Sequence, residues 1–327
     1  MSETEPKISV ILPSYNVREY IEQCIESVFN QTFKDIEVIC VDAGSTDGTL
    51  EILKGYVDEY PNLNIFLSNK KSYGAQINQG LNNANGEYLS IIETDDYVDP
   101  NMLESLYELT QFGYVDIVKS TFYHLYENGD ERKLKVDEVK RNLPEGKLFR
   151  AVNQPVFFDG HPSIWSAIYR KSFLFNNNIN FIEEEGGGWV DNPFLFETAL
   201  KADTIIYTNR PYYYYRQSNE NSSSNNLKDL SIPSRRISDM FDVLDKCGCE
   251  DTQIIESLYR RLFRYVEITL ENNDNDLESL DYKTCKSLYE ALNRVDEDYV
   301  HNQLSNKQKQ YYYSLSSPLI LSKFKQE

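Results

Sequence analysis

Positive charge is scarce in this sequence: Lys and Arg number 33 against 52 Asp and Glu, a formal net charge of −19. That balance argues against nonspecific association with nucleic acid or an anionic lipid surface, both of them polyanions. No nucleic-acid partner is therefore expected. Long apolar runs are missing too, since no stretch approaches the roughly 18 residues that span a bilayer. The opening segment, MSETEPKISV, lacks a basic stretch followed by an apolar one, so no secretory signal is expected and a cytoplasmic location is. Cysteines are few, five in all, odd in number and scattered. Cys24 and Cys40 sit in apolar patterns that read as reduced core thiols. Cys247 and Cys249 form C-x-C without the second pair that a zinc site requires. Nor does a G-x-G-x-x-G turn follow the first predicted strand, where PSYN stands instead, so a dinucleotide-dependent oxidoreductase gains little weight.

What is present is a regular alternation. KISVIL, IEVICV, LNIFL, YLSII and VDIVKS read as strands. Helical patterns separate them: an apolar stripe from Val17 to Phe29, then TLEILKGYVDEY, the stretch following SYGAQ through Ala84, and a segment from Pro100 to Leu109. Asn16 and Glu19 stand where a capping pair for the first helix would stand. Strands alternating with helices predict an α/β fold, a mainly parallel sheet covered on both faces. A hairpin is expected with its turn at Asn128-Gly129. After NENSSSNN, a polar loop, the character turns helical, so a boundary is placed near residue 225, giving domains 1–225 and 226–327.

Parallel sheets bind ligands at the carboxyl ends of their strands, where strand order reverses. That rule gathers PSYN, DAGSTDG and ETDD into one crevice. In VDAGSTDGT, Asp47 reads as a helix cap, whereas Asp42, at a strand end, is free to accept hydrogen bonds from a nucleobase or ribose. In ETDD, Asp95 with help from Glu93 or Asp96 suits Mg²⁺ or Mn²⁺, which prefer oxygen ligands shared with substrate phosphates. Asp99 is assigned instead to the N-terminus of the following helix, where negative charge is favoured.

SVILPSYN, VICVDAGSTDGT, NGEYLSIIETDD and GWVDNPF occur in the order that characterises glycosyltransferase family 2, and over about its first 220 residues the chain resembles a bacterial member. The resemblance implies the GT-A fold and a nucleotide-sugar donor, UDP-linked in the first instance. It implies that Pro13, Tyr15 and Asn16, with Asp42, line the nucleotide pocket, and that Gly74 and Asn78 belong to a second donor-binding loop. Glu93-Thr94-Asp95 would stand at the Asp-x-Asp motif, with Asp95 and Glu93 as metal-side carboxylates. Arg216 would lie near the donor phosphates; an ordinary surface arginine is the alternative. Ala43, Gln76 and Glu93 depart from the family pattern.

Transfer with inversion needs a base within reach of the acceptor hydroxyl. Asp191 in EEEGGGWVDNPF matches the family position, and it can also serve as the N-cap of a helix. Trp189 can stack on a sugar or pack in the core, and Gly186 to Gly188 would let the loop close over a donor or serve simply as a flexible connector. The segment HPSIWSAIYR resembles the part of the family fold beneath the acceptor, which makes His161 and Trp165 acceptor candidates. For His161 a satisfied buried histidine is the preferred reading. Two of the tyrosines 212–215 are expected to face the core by alternation.

The expectation is therefore a metal-dependent inverting glycosyltransferase acting on a glycan or lipid-linked acceptor. A catalytically silent sugar-nucleotide-binding or assembly protein is the main alternative. The C-terminal helices are left to acceptor contacts, dimerisation or peripheral membrane association.

Overall fold

The computed structural model describes residues 5–129, 131–219 and 227–322. The chain divides into two compact units, Met1–Asn221 and Ser222–Glu327. The expected boundary near residue 225 and most of the polar run before it lie outside the described residues.

The first unit holds β1 (Ile8–Ser14), β2 (Ile36–Asp42), β3 (Leu63–Leu67), β4 (Tyr88–Ile91), β5 (Tyr97–Val98), β6 (Ile117–Asn128), β7 (Glu131–Val136), β8 (Ala167–Arg170) and β9 (Ile205–Arg216). Its helices are α1 (Ile21–Phe29), α2 (Thr49–Val57), α3 (Tyr73–Asn83), α4 (Met102–Glu108), α5 (Lys171–Asn176) and α6 (Asp191–Lys201). One sheet runs in the order β3-β2-β1-β4-β8-β6-β9-β5, with β7 paired to β6. Strands β3, β2, β1 and β4 are mutually parallel. Every residue of β1 is buried, as a central strand covered on two faces requires. α1 shows how the apolar spacing is used: Ile21, Cys24, Ile25 and Val28 are its buried stripe.

Beyond β4 the sheet is mixed. β8 enters antiparallel between β4 and β6, so the fifth predicted strand does not lie beside the fourth. The hairpin forms, but Asn128 is paired opposite Glu131 at the end of β6, so the turn starts at Gly129 rather than at Asn128-Gly129. The tyrosine run departs from simple alternation. Tyr212 and Tyr213 are buried while Tyr214 and Tyr215 are half-buried, because pairing with β6 shifts register between Ser120 and Phe122.

The second unit is helical: α7 (Ile232–Cys247), α8 (Thr252–Glu271), α9 (Tyr282–Leu292), α10 (Glu297–Gln303), α11 (Asn306–Leu315) and α12 (Leu319–Ser322). Asp229 ties the start of α7 to α9. Its carboxylate accepts from the Ser231 N–H at 3.0 Å, the Arg235 guanidinium at 3.1 Å and Lys283 Nζ at 2.6 Å. Burial pushes its pKa up, but the bonds from Lys283 and Ser231 outweigh that and hold it at about 2. A depressed carboxylate stabilises the fold above its unfolded pKa and loses that contribution as pH falls toward its folded value. Allowing for solvent screening of a partly exposed group, Asp229→Asn is expected to cost about 1 kcal/mol at pH 7. The cost should shrink between about pH 4 and pH 2. Urea unfolding at several pH values measures it; a cost independent of pH would contradict this origin.

Among the described residues no helix is long and apolar enough to cross a membrane. None of the five cysteines, all within the described residues, is joined in a disulfide.

Candidate active site

Strand order reverses at β1, which lies between β2 and β4, and the loops leaving these three strands meet there. The register puts Ser14 beside Asp42 at the ends of β1 and β2. Asn16 takes a left-handed backbone, φ 51°, which an Asn tolerates better than most side chains. In that pose its N–H donates to Ser45 Oγ at 2.9 Å and its Oδ1 accepts from the Thr46 N–H at 2.9 Å. Asn16 therefore stitches two loops together, and the capping pair with Glu19 does not form: the N-cap of α1 is Tyr20, without a side-chain bond. Asp47 does serve α2, accepting from the Thr49 N–H at 3.0 Å. Thr94 Oγ1 donates to the Pro13 carbonyl at 2.7 Å and so fastens ETDD to PSYN. Tyr15 stands exposed at the mouth, its hydroxyl accepting from Lys71 Nζ at 3.0 Å.

Asp42 is fully buried. Its oxygens accept from the N–H groups of Gly44 and Ser45 at 2.9 and 2.8 Å and from Ser45 Oγ at 2.6 Å. The carboxylate thus shapes the 43–45 loop from behind rather than standing free at its surface.

Four acidic residues follow β4, and the structure separates their tasks. Asp96 is buried; its Oδ2 accepts from the Tyr213 hydroxyl at 2.9 Å and its Oδ1 from the Arg216 N–H at 2.7 Å. It pins the loop to β9, and both of its oxygens are engaged in doing so. Burial, with Asp95 nearby, raises its pKa well above the carboxylate range. Asp99 accepts from the Asn101 N–H at 2.9 Å, just before α4. Glu93 and Asp95 are half-buried at the crevice. Glu93 Oε1 accepts from the Tyr73 hydroxyl at 2.5 Å, and Asp95 Oδ2 from Asn219 Nδ2 at 2.9 Å. Burial pushes Glu93 up to about 8 against the pull of the Tyr73 bond, with the charges of Asp95 and Asp191 adding to the rise.

Asp191 is the first residue of α6, with Val190 as N-cap, so it is not the cap itself; its carboxylate sits in the first turn, where the helix favours it. It is half-buried, and its field reaches Glu93 and the buried hydroxyls of Tyr73 and Tyr169. The loop before it is built from left-handed residues: Gly186 at φ 76°, Gly188 at 56° and, without a glycine's freedom, Trp189 at 54°. Trp189 is half-buried, and its carbonyl accepts from the Asn192 N–H at 3.2 Å.

Gly74 and Asn78 face this same segment and are not open to a donor. Asn78 is buried, donating from Nδ2 to the Phe181 carbonyl at 2.9 Å and accepting the Phe181 N–H at 2.9 Å. Gly74 is needed for close approach, since a Cβ there would lie 2.0 Å from the Ile182 carbonyl oxygen. The bond from Tyr73 N–H to the Gly186 carbonyl, 3.0 Å, continues the clamp. Gly74→Ala is therefore expected to lose about 1–3 kcal/mol of stability, as overpacked sites do. A thermal unfolding midpoint equal to that of the wild type would contradict this packing role. Gln76 is buried too, donating to the carbonyls of Ser14 and Val41 at 2.8 and 2.7 Å.

Arg216 is no surface arginine, and its guanidinium is already engaged. It pairs with Glu127, donates to the Asp95 carbonyl at 2.9 Å and to Gln23 Oε1 at 2.7 Å, and lies 4.8 Å from the Tyr20 ring centroid. It braces the loop carrying Asp95 from behind. Trp165 is buried against Tyr213, ring centroids 4.0 Å apart, and presents no free face to an acceptor. His161 is half-buried, accepts the Ser163 N–H at Nδ1 at 2.9 Å, and lies 5.0 Å from the Tyr215 ring. Buried Lys119 holds the same segment, bonded to the Ser163 carbonyl and to Ser166 Oγ. Tyr73, Tyr213 and Lys119 escaped the sequence reading. A tyrosine opening a helix or a lysine inside a strand announces its role only through partners distant in sequence.

Residues 9–174, just over half of the chain, match the family described as glycosyl transferase family 2. The chain is 31% identical to a cholesterol galactosyltransferase of Borreliella burgdorferi, over 63% of this chain and 59% of that one. The chain thus spans less than two thirds of that relative. In fold it is similar to S. aureus TarS 1-349 in complex with UDP-GlcNAc, with a TM-score of 0.76 at 21% identity over 98% of this chain and 92% of that chain. A mannosyltransferase from Pyrobaculum calidifontis, PcManGT, in complex with GDP-Man and Mn²⁺, is more distant: TM-score 0.54, 12% identity, 98% and 87% covered. The sheet, with its crevice of loops at the β1 switch point, and the match over residues 9–174 lead to one statement: the chain belongs to glycosyl transferase family 2.

Proposed function

We propose that the chain is an inverting glycosyltransferase that moves a sugar from a nucleotide-diphosphate sugar, a UDP-sugar in the first instance, to a hydroxyl of a glycan or lipid-linked acceptor. The observation that carries this reading is that Tyr73 joins the two sides of the site: its hydroxyl donates to Glu93 at 2.5 Å, and its N–H donates at 3.0 Å to the carbonyl of Gly186, in the loop that runs into Asp191 at the head of α6. The reaction wants that pairing: a base on one side of the reacting carbon and a diphosphate-binding edge on the other.

Pro13, Tyr15 and Asn16 would border the nucleotide, with Asp42 fixing the loop behind them. Two half-buried carboxylates with oxygen donors only, Asp95 and Glu93, fit Mn²⁺ or Mg²⁺ as an ion shared with the donor phosphates. Such an ion, when bound, neutralises charge on the departing diphosphate. The other steps fall to the chain itself. Asp191 accepts the acceptor hydroxyl's proton, Tyr73 orients Glu93, and Asn219 with Arg216 fixes Asp95. UDP-GlcNAc in the TarS complex and GDP-Man with Mn²⁺ in PcManGT support the donor and metal classes through likeness of fold. The C-terminal unit would serve acceptor, dimer or membrane-complex contacts in a cytoplasmic enzyme, with peripheral association at the inner face of the plasma membrane as the alternative.

A silent nucleotide-sugar binder is the competing reading. It is favoured by Gln76, whose amide is committed to the Ser14 and Val41 carbonyls and so offers nothing to a phosphate. Nucleoside diphosphate release separates the two. Turnover above buffer background with any donor supports the enzyme; donor binding without release, with or without a panel of acceptors, supports the silent binder.

A further inference from the structure

Although the chain is acidic overall, residues 132–150 reverse the balance, with seven Lys and Arg against three Asp and Glu. Part of this segment is β7, the edge strand of the hairpin, and its outer residues are placed by register. Lys135 lies opposite His124, and Lys133 opposite Tyr126. Directly opposed residues share a face, and so do residues two apart along a strand. His124, Tyr126, Lys133 and Lys135 therefore form one surface, on which both lysines are exposed and Tyr126 is 44% exposed.

The surface continues inward. His124 is opposite Tyr215 on β9, with ring centroids 6.3 Å apart, and Tyr215 in turn lies 5.0 Å from His161. Beneath, Trp165 packs 5.0 Å from Tyr215 and stacks on Tyr213. Tyr213 reaches the crevice directly, donating to Asp96 and accepting the Glu93 N–H at 3.0 Å. Half-exposed rings at Tyr215, His124 and Tyr126 thus stand between two exposed ammonium groups and a buried pair, Trp165 and Tyr213, that reaches the Glu93 edge from beneath. The acidic groups at the outer end of this face are Asp137, engaged with His124 at 3.3 Å, and Glu131 at the hairpin tip.

We propose that this face is an acceptor track for an anionic glycan. The apolar faces of sugar rings would pass over Tyr215, His124 and Tyr126, and Lys133 and Lys135 would meet the phosphate or carboxylate groups of the chain. The inference rests on the glycosyltransferase reading and names the acceptor class for that site. It commits to a glycan rather than a lipid surface because half-exposed rings, on which sugars can stack, share the face with the two lysines, whereas an electrostatic membrane anchor needs only the charge.

The test uses the full chain, K133E/K135E and Y126A. Intrinsic tryptophan emission reports binding, Trp165 lying under the track. The probes are a ribitol-phosphate oligomer, a glucuronate-containing oligosaccharide of similar length and neutral maltohexaose. Wild type should prefer at least one anionic probe over the neutral one, and the preference should weaken with salt. K133E/K135E should abolish the preference, weakening that probe about tenfold, with Y126A weakening all three. Which probe gains separates phosphate from carboxylate as the recognised group. No preference in wild type, or a preference intact in K133E/K135E, overturns the track. Loss of binding to phosphatidylglycerol vesicles in K133E/K135E, with glycan binding unchanged, overturns it in favour of a membrane contact. Donor-induced thermal shifts are measured on the same samples. If they persist in K133E/K135E while the track fails, only this inference falls; if wild type binds no donor, the underlying reading falls instead.

Discussion

Asp191→Asn is expected to lower sugar transfer by about 10²–10⁴-fold, the usual worth of a positioned general base, while leaving donor affinity near that of the wild type. The amide keeps the size of the side chain at the first position of α6 but cannot accept the proton. Two features make the expectation specific. The residue is set by left-handed backbone at Gly186, Gly188 and Trp189, and the preceding segment is clamped to α3 through Asn78 and Gly74. Its carboxylate also stands where its charge acts on Glu93, so removing that charge relieves repulsion at the donor edge rather than damaging it. Steady-state kinetics beside a donor titration checks both halves. A fall in donor affinity matching the fall in rate would make Asp191 a binding residue, and unchanged turnover would remove it from the mechanism.

The second large effect concerns stability. Arg216→Ala should destabilise the fold by about 3–5 kcal/mol, the scale seen when one partner of a buried ion pair is removed. For a unit of this size that corresponds to a drop on the order of 10 °C in unfolding midpoint. Glu127 loses its partner, the Asp95 carbonyl and Gln23 lose donors, and the Tyr20 ring loses the cation above it. Arg216→Lys should recover little, because one ammonium cannot serve partners placed for a planar fork. An arginine acting only on donor phosphates would behave differently, changing donor affinity and leaving the midpoint where it was. Circular dichroism melts of the free proteins decide between these roles.

Much of this arrangement was legible in the residues because it depends on local pattern. Mostly apolar runs such as ISVILPS read as covered central strands, and their alternation with helical stripes favours parallel neighbours. The polar loops after β1, β2 and β4 then have one place to go. Pairings between distant segments were not legible. No local signal inserts β8 between β4 and β6, or shifts the register of β9 so that adjacent tyrosines are buried together. The same limit applies to Gly74, Asn78 and Arg216. Their motif positions are adjacent to a donor loop, yet the space at Gly74 and the amide of Asn78 answer to residues about a hundred positions away, and the guanidinium of Arg216 to Gln23 and Asp95. Asp96 illustrates the point within one motif. Sequence offers it to metal or helix; the hydroxyl of Tyr213 claims it.

The most direct test of the central claim is thermal unfolding against a panel of nucleotide sugars, each with Mn²⁺, with Mg²⁺ and with chelator. A ligand that binds only the native state at about a hundred times its dissociation constant adds roughly 2.7 kcal/mol, a shift of several degrees. The account predicts a metal-dependent rise with one donor, lost in Asp95→Ala and kept in Asp191→Asn. A folded protein whose midpoint moves with no nucleotide sugar, nor with UDP alone, under any of the three conditions would contradict it.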